Sequence, residues 1–161
     1  MKTLIVYFSL DGSTRFMANL IARELDADIL ELKTIKPYPT NLPAKMIVGG
    51  ASAILLKTPL LINKVPDMSC YDTVFIGTPI WAGKYAPPIA SFLKRTDITN
   101  KKVGLFLSCG GGSPKGCIEK FKIALKDNEM LGELCLKMPV KKRPEDVEAS
   151  IQSFLASLGL I

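Results

Sequence analysis

The amino-acid sequence predicts an α/β protein with a doubly wound, five-stranded parallel sheet in the order 2-1-3-4-5. Three observations lead there. Short apolar runs rich in β-formers alternate along the chain with segments whose apolar residues recur at helical spacing. The first run, Leu4 to Phe8, is apolar throughout, as a strand buried on both faces is. The length of 161 residues, with 48% hydrophobic and 22% charged residues, suits one domain with a real core, so 1–161 is read as a single domain.

The elements follow in order. Leu4 to Phe8 is the first strand, and polar Ser9 to Ser13 leads into a helix striped by Met17, Leu20, Ile21 and Leu25. Asp28 to Leu32 is the second strand, followed by a Pro-rich loop over Lys33 to Asn41. Pro43 to Lys57 reads as a weak helix interrupted by Gly49 and Gly50. Thr73 to Ile76 is the third strand, with a turn-rich loop from Gly77 to Tyr85. Pro87 stands where a first helical turn tolerates proline, and Ile89, Phe92 and Leu93 give the stripe. Val103 to Leu107 is the fourth strand, Cys109 to Gly116 a glycine-rich loop, and Ile118, Phe121 and Leu125 the next helical stripe. Glu133 to Met138 is the fifth strand, and the last helix follows Pro144 with Val147, Ile151, Phe154, Leu155 and Leu158 on one face.

Composition excludes several classes of function. No run approaches the roughly 18 apolar residues of a membrane span, and Leu4 to Phe8 is too short for a signal-peptide core. The four cysteines, Cys70, Cys109, Cys117 and Cys135, form no C-x-x-C pair, and the chain has no histidine, so a Cys/His zinc site is excluded. Scattered thiols suit a reducing cytosol, and a cytoplasmic protein is expected. Without histidine the commonest general base is missing, which points to chemistry carried by a cofactor. The net charge of +6 comes from basic residues spread along the chain, so no nucleic-acid partner is expected.

In a sheet of this order ligands bind at the carboxyl ends of the strands, near the point where the order reverses. The first loop there is Ser9-Leu10-Asp11-Gly12-Ser13-Thr14. Hydroxyl donors and a flexible glycine at a helix N-terminus favour an anion such as phosphate. The residues alone equally fit an ordinary capped turn with Asp11 or Ser13 as N-cap. The loop is neither a Walker loop nor G-x-G-x-x-G.

This loop resembles the phosphate loop of the flavodoxin family, in which Ser or Thr, any residue, Ser or Thr, Gly, Asn or Ser, and Ser or Thr follow a strand ending in an aromatic. The resemblance extends to Gly77-Thr78-Pro79-Ile80-Trp81-Ala82-Gly83 with Tyr85-Ala86-Pro87-Pro88, and to Ser108-Cys109-Gly110-Gly111-Gly112. It covers nearly the whole chain and implies a flavodoxin-like three-layer sandwich that binds FMN. By it, Ser9, Leu10, Gly12, Ser13 and Thr14 hold the phosphate; Thr78, Pro79, Trp81 and Ala82, with Ile80 between them, line one side of the ring; Ser108 and Cys109 to Gly112 border its pyrimidine end. Asp11 departs from the pattern. The expectation is that its carboxylate faces out, offset by Arg15, and that Asp11→Thr leaves FMN affinity equal or better.

Trp81, the sole tryptophan, either stacks on the flavin or packs the loop onto the core. Tyr85 is a weaker candidate for the stacking role. A peptide in Trp81-Ala82-Gly83 is expected to turn over and accept a hydrogen bond from the reduced ring, with Gly83 supplying the freedom. Cys109 is either a reactive redox thiol or a packed one. Lys84 and Lys115 flank these loops, which implies a less negative hydroquinone potential than in acidic relatives.

The resemblance implies an electron carrier whose FMN cycles between oxidised, semiquinone and hydroquinone forms and serves a redox partner protein, an acidic one given the basic charge. The alternative on the same fold is an NAD(P)H-dependent FMN or quinone reductase. A flavin-free interaction module is a third reading, against which the hydroxyl loop and Trp81 stand. The long segment Lys33 to Ser69 offers a lid, a substrate wall or a partner surface.

Overall fold

The computed structural model describes residues 2–39 and 58–161 of the chain. The weak helix expected over Pro43 to Lys57 lies outside the described residues. Six strands and four helices are described: β1 (Thr3–Tyr7), β2 (Asp28–Glu31), β3 (Thr73–Trp81), β4 (Lys84–Tyr85), β5 (Lys102–Cys109) and β6 (Glu129–Lys137), with α1 (Ser13–Leu25), α2 (Pro87–Arg95), α3 (Lys115–Ala124) and α4 (Pro144–Ser157).

Five strands run parallel in the order β2-β1-β3-β5-β6, and β4 pairs antiparallel with β3 alone. With the two-residue β4 set aside, this is the expected order. Successive side chains in a strand point to opposite faces, and the core divides accordingly. Leu4, Val6, Val74, Ile76, Leu105 and Leu107 pack with Ile89 and Phe92 of α2 and Phe121 of α3. Ile5, Tyr7, Phe75 and Phe106 pack with Met17 and Ile21 of α1 and with Val147, Ile151 and Leu155 of α4. The sheet is thus the middle of three layers, and the helical stripes read from the sequence are the faces that bury against it.

β3 is longer than expected. Gly77 and Pro79 looked like the start of a loop, yet the strand runs on to Trp81. Gly77 pairs with Phe106 and Gly104 with Phe75 across the β3–β5 ladder. Each phenylalanine ring lies over the opposite glycine: a Cβ on Gly77 would sit 2.1 Å from Phe106 Cζ, and one on Gly104 2.3 Å from Phe75 Cε1. These glycines make room for rings instead of breaking a strand. Pro79 is tolerated because the ladder between β1 and β3 ends at the Tyr7–Gly77 pair, leaving that side of β3 without a β1 partner. β6 also begins earlier than expected, at Glu129, because it pairs along the whole of β5 from Lys102.

The chain reverses after β3 through a two-residue hairpin in which Trp81 pairs with Lys84. Ala82 has φ 48° and Gly83 φ 71°, the two positive values that such a tight turn requires. Glycine supplies this freely at position 83, whereas alanine at 82 is held against its preference.

Candidate functional site

At the carboxyl edge of the sheet the loops after β1, β3 and β5 converge. A cleft of about 150 Å³ is lined by Asp11, Ser13, Pro79, Ile80, Trp81, Ser108, Cys109, Gly110 and Met138. A second cleft, of about 390 Å³, lies on the other side of the first loop, between it and the chain after β2; Phe8, Ser9, Leu10, Arg15 and Tyr38 are among its walls. Three loops far apart in sequence therefore meet as the spacing predicts, and the Ser9–Thr14 loop stands between the two spaces.

Within that loop the hydroxyls have different environments. Ser9 Oγ is buried and has no hydrogen-bond partner among the described residues, a costly state for a group able both to donate and to accept. Thr14 Oγ1 lies 2.9 Å from Ser108 Oγ, both side chains buried, so that this pair ties the first turn of α1 to the end of β5. Gly12, at φ 90°, is the N-cap of α1, and no side chain occupies the cap. Neither Asp11 nor Ser13 is the N-cap residue; Asp11 Oδ1 accepts from the backbone N–H of Ser13 at 3.0 Å, with the Asp11 residue exposed. The guanidinium of Arg15 is held by Glu31. An anion arriving at this helix terminus would meet the positive end of the helix dipole and compete with the Asp11 carboxylate for the Ser13 N–H.

On the β3 side, Thr78 is fully buried: its hydroxyl donates to the Pro79 carbonyl at 2.9 Å and accepts from the Ala86 N–H at 2.9 Å. It braces the hairpin against the start of α2. Trp81, partly exposed, makes edge contacts with Phe8 at 5.7 Å and Tyr38 at 5.2 Å between ring centroids, while it also lines the smaller cleft. The residue is packed against these rings, and it also faces the cleft. Tyr85 turns the other way, onto Phe121 at 4.6 Å, and burial raises its phenol above the ordinary tyrosine range. On the β5 side Gly110, Gly111 and Gly112 are exposed, and Cβ atoms built on them would meet none of the described residues within 4 Å. Cys109 lines the cleft, and its Sγ lies 3.7 Å from that of Cys135.

Two residues of the site escape a reading by sequence. Tyr38 sits in the Pro-rich loop after β2, where an aromatic between Pro37 and Pro39 was the available signal. Met138, just past β6, has φ 43° and donates its N–H to the Cys109 carbonyl at 2.9 Å. Its place depends on β6 lying beside β5, which no local pattern announces.

The family described as Flavodoxin matches residues 2–143. The chain belongs to the flavodoxin family. Among curated relatives it is 30% identical over 141 residues to a protein of Methanocaldococcus jannaschii, covering 85% of this chain and 75% of that one. It is 31% identical over 113 residues to an NAD(P)H dehydrogenase (quinone) of Afipia carboxidovorans, covering 68% of this chain and 54% of the relative. The flavodoxin-family chain thus spans about half the length of that dehydrogenase. Among solved structures, a flavoprotein of Lactobacillus acidophilus in complex with FMN superposes with TM-score 0.71 at 26% identity, covering 83% of this chain and 92% of that one.

The residues present fit such a group. The buried Ser9 Oγ, without a partner among the described residues, and the space above Gly12 belong to one loop, and Gly110, the first of three open glycines, borders the cleft beside it. A phosphate oxygen would give Ser9 the partner that the protein itself withholds. At about 150 Å³, the space is smaller than the roughly 300–1,000 Å³ of clefts that enclose drug-sized ligands, so it would enclose only part of a flavin ring. Among the described residues no helix is long and apolar enough to cross a membrane.

Proposed function

We propose that this protein is an electron-transferring flavoprotein that holds one non-covalent FMN at the carboxyl edge of its sheet. The observation that carries the reading is the Ser9 hydroxyl in the loop that joins β1 to α1, buried without a partner among the described residues. Bound FMN supplies reversible uptake of one or two electrons. The chain supplies the rest. Ser9 and Ser13, with the first N–H groups of α1, receive the phosphate, whose charge the helix dipole favours. The Thr14–Ser108 pair holds the phosphate loop against the end of β5, and Thr78 holds the hairpin. Pro79, Ile80 and Trp81 form an apolar wall that keeps water from one side of the ring. The backbone of Gly110 to Gly112 lets the ring edge approach closely. The electrons pass to a redox partner protein with an acidic docking face, which the net charge of +6 would draw in.

A second reading, an NAD(P)H-dependent FMN or quinone reductase, is favoured by the likeness to the Afipia dehydrogenase and by the 390 Å³ cleft beside the phosphate loop. Anaerobic addition of NADH or NADPH to the FMN-loaded protein separates the two. Reduction only by dithionite or a partner reductase is the outcome expected of a carrier; rapid bleaching by pyridine nucleotide would establish the reductase. A protein that takes up no FMN at micromolar concentration would end both readings.

A further inference from the structure

Beside the cleft the fold assembles two sulfur atoms that are 26 residues apart in sequence. Cys109 is the last residue of β5 and lines the cleft; Cys135 lies in the neighbouring β6. The ladder pairs Cys109 with Lys137 and Leu107 with Cys135, so the two cysteines are diagonal neighbours on one face of the sheet. Their Sγ atoms are 3.7 Å apart, with the Cys135 thiol donating toward Cys109. Cys117, from α3, is fully buried in the core beneath the same face, and Cys70 lies in the short turn before β3. Access thus falls from exposed Cys70, which stands apart from the pair, through Cys109 at the cleft to buried Cys117. A thiol that a small oxidant can reach, with a second thiol in van der Waals contact behind it, is the arrangement in which a sulfenic acid is captured as a disulfide.

We infer that Cys109 and Cys135 form an oxidative modification site, in which a hydroperoxide oxidises Cys109 and Cys135 resolves it to an intramolecular disulfide. In the first step the Cys109 thiolate sulfur attacks the peroxide. The O–O bond breaks, an S–O bond forms, and the departing alkoxide or hydroxide takes up a proton. In the second step the Cys135 sulfur attacks the Cys109 sulfenic sulfur. An S–S bond forms, the S–O bond breaks, and the hydroxyl leaves as water with the Cys135 proton. Overall two thiols lose two electrons and two protons, and one hydroperoxide is reduced to an alcohol, or to water, together with one further water.

Two physical consequences follow. Burial and the contact with Cys109 raise the Cys135 thiol well above the ordinary range, so the second step waits on loss of that proton and quickens with rising pH. Closing the sulfur gap to the roughly 2.05 Å of a disulfide also requires the strands to yield, since diagonal neighbours stand about 7–8 Å apart and disulfides usually span less than about 7 Å between Cα atoms. The yielding point is Cys109, which ends its strand and is followed by three glycines. The bond would draw this loop away from the cleft it borders.

The test uses the full-length, fully reduced protein without added flavin, so its result stands apart from the FMN reading. After exposure to hydrogen peroxide the protein is unfolded, alkylated and mapped by mass spectrometry. The expected result is loss of two of the four free thiols and a peptide pair joined through Cys109 and Cys135. With Cys135→Ser, dimedone should label Cys109 and the joined pair should vanish; with Cys109→Ser, Cys135 should stay alkylatable. A bridge through Cys117 or Cys70, a disulfide between two molecules, or four alkylatable thiols after treatment would overturn the inference.

Discussion

A methyl group built on Gly77 or Gly104 would collide with a phenylalanine ring, at 2.1 and 2.3 Å, whereas one built on Gly12, Gly83, Gly110, Gly111 or Gly112 would meet none of the described residues within 4 Å. The first two sit inside the sheet and the others in loops at its carboxyl edge. In the sheet, the missing side chain makes room that the protein fills with Phe106 and Phe75. At the edge, the room stays open. The contrast separates space that stability requires from space kept for something else, and substitutions in the two regions should fail differently.

The largest effect is expected inside the sheet. Gly104→Ala forces the Phe75 ring, itself fully buried, out of its place, and overpacking of this kind costs about 1–3 kcal/mol. Urea unfolding should show a lower midpoint, while Gly111→Val leaves the midpoint in place and weakens FMN binding instead. Equal midpoints for Gly104→Ala and wild type would break the comparison.

The packed side should also carry an alkaline signature. Burial pushes the Cys117 thiol up to about 12, above the roughly 8.5 of an unfolded cysteine. The unfolded chain therefore loses this proton first. The stability from the neutral buried thiol is complete below about pH 8.5 and declines as pH rises through the folded value, by up to about 1.4 kcal/mol per pH unit for one group. Cys117→Ala should flatten that decline in unfolding curves collected from pH 8 to 11, at the cost of a small cavity.

At the edge, Ser9→Ala removes a buried hydroxyl that has no partner among the described residues. The apoprotein should be as stable as wild type or slightly more so. FMN affinity should fall about tenfold, the equivalent of about 1.4 kcal/mol, measured by fluorescence titration. A destabilised apoprotein with unchanged affinity would assign Ser9 to the fold. The smallest effect belongs to the hairpin, where Ala82→Gly relieves a left-handed alanine and should alter stability by less than about 1 kcal/mol.

Much of the fold is legible because it follows from local pattern. Apolar runs gave five strands, and Met17, Ile21, Phe92, Phe121 and Ile151 marked the helical faces that the structure buries. What escaped depends on neighbours. Gly77 and Pro79 signal a break unless the ring of Phe106 and the end of the β1 ladder are known. The loops of the candidate site are legible as hydroxyl and glycine clusters, but which hydroxyls also brace one element against another is not. Thr14, Thr78 and Ser108 carry hydroxyls like Ser9, and only their partners reveal that they tie elements together. Tyr38 and Met138 reach the site, and Cys135 reaches Cys109, through strand order and register.

The central claim is that the turn between β1 and α1 receives a doubly charged phosphate. Titration of the apoprotein with FMN and, separately, with riboflavin, which carries the same ring without the phosphate, tests it most directly. Several charge-assisted hydrogen bonds should make FMN bind at least about 100-fold more tightly, with the gap narrowing as salt is added. Equal affinities for the two ligands, or binding of neither, would contradict the account.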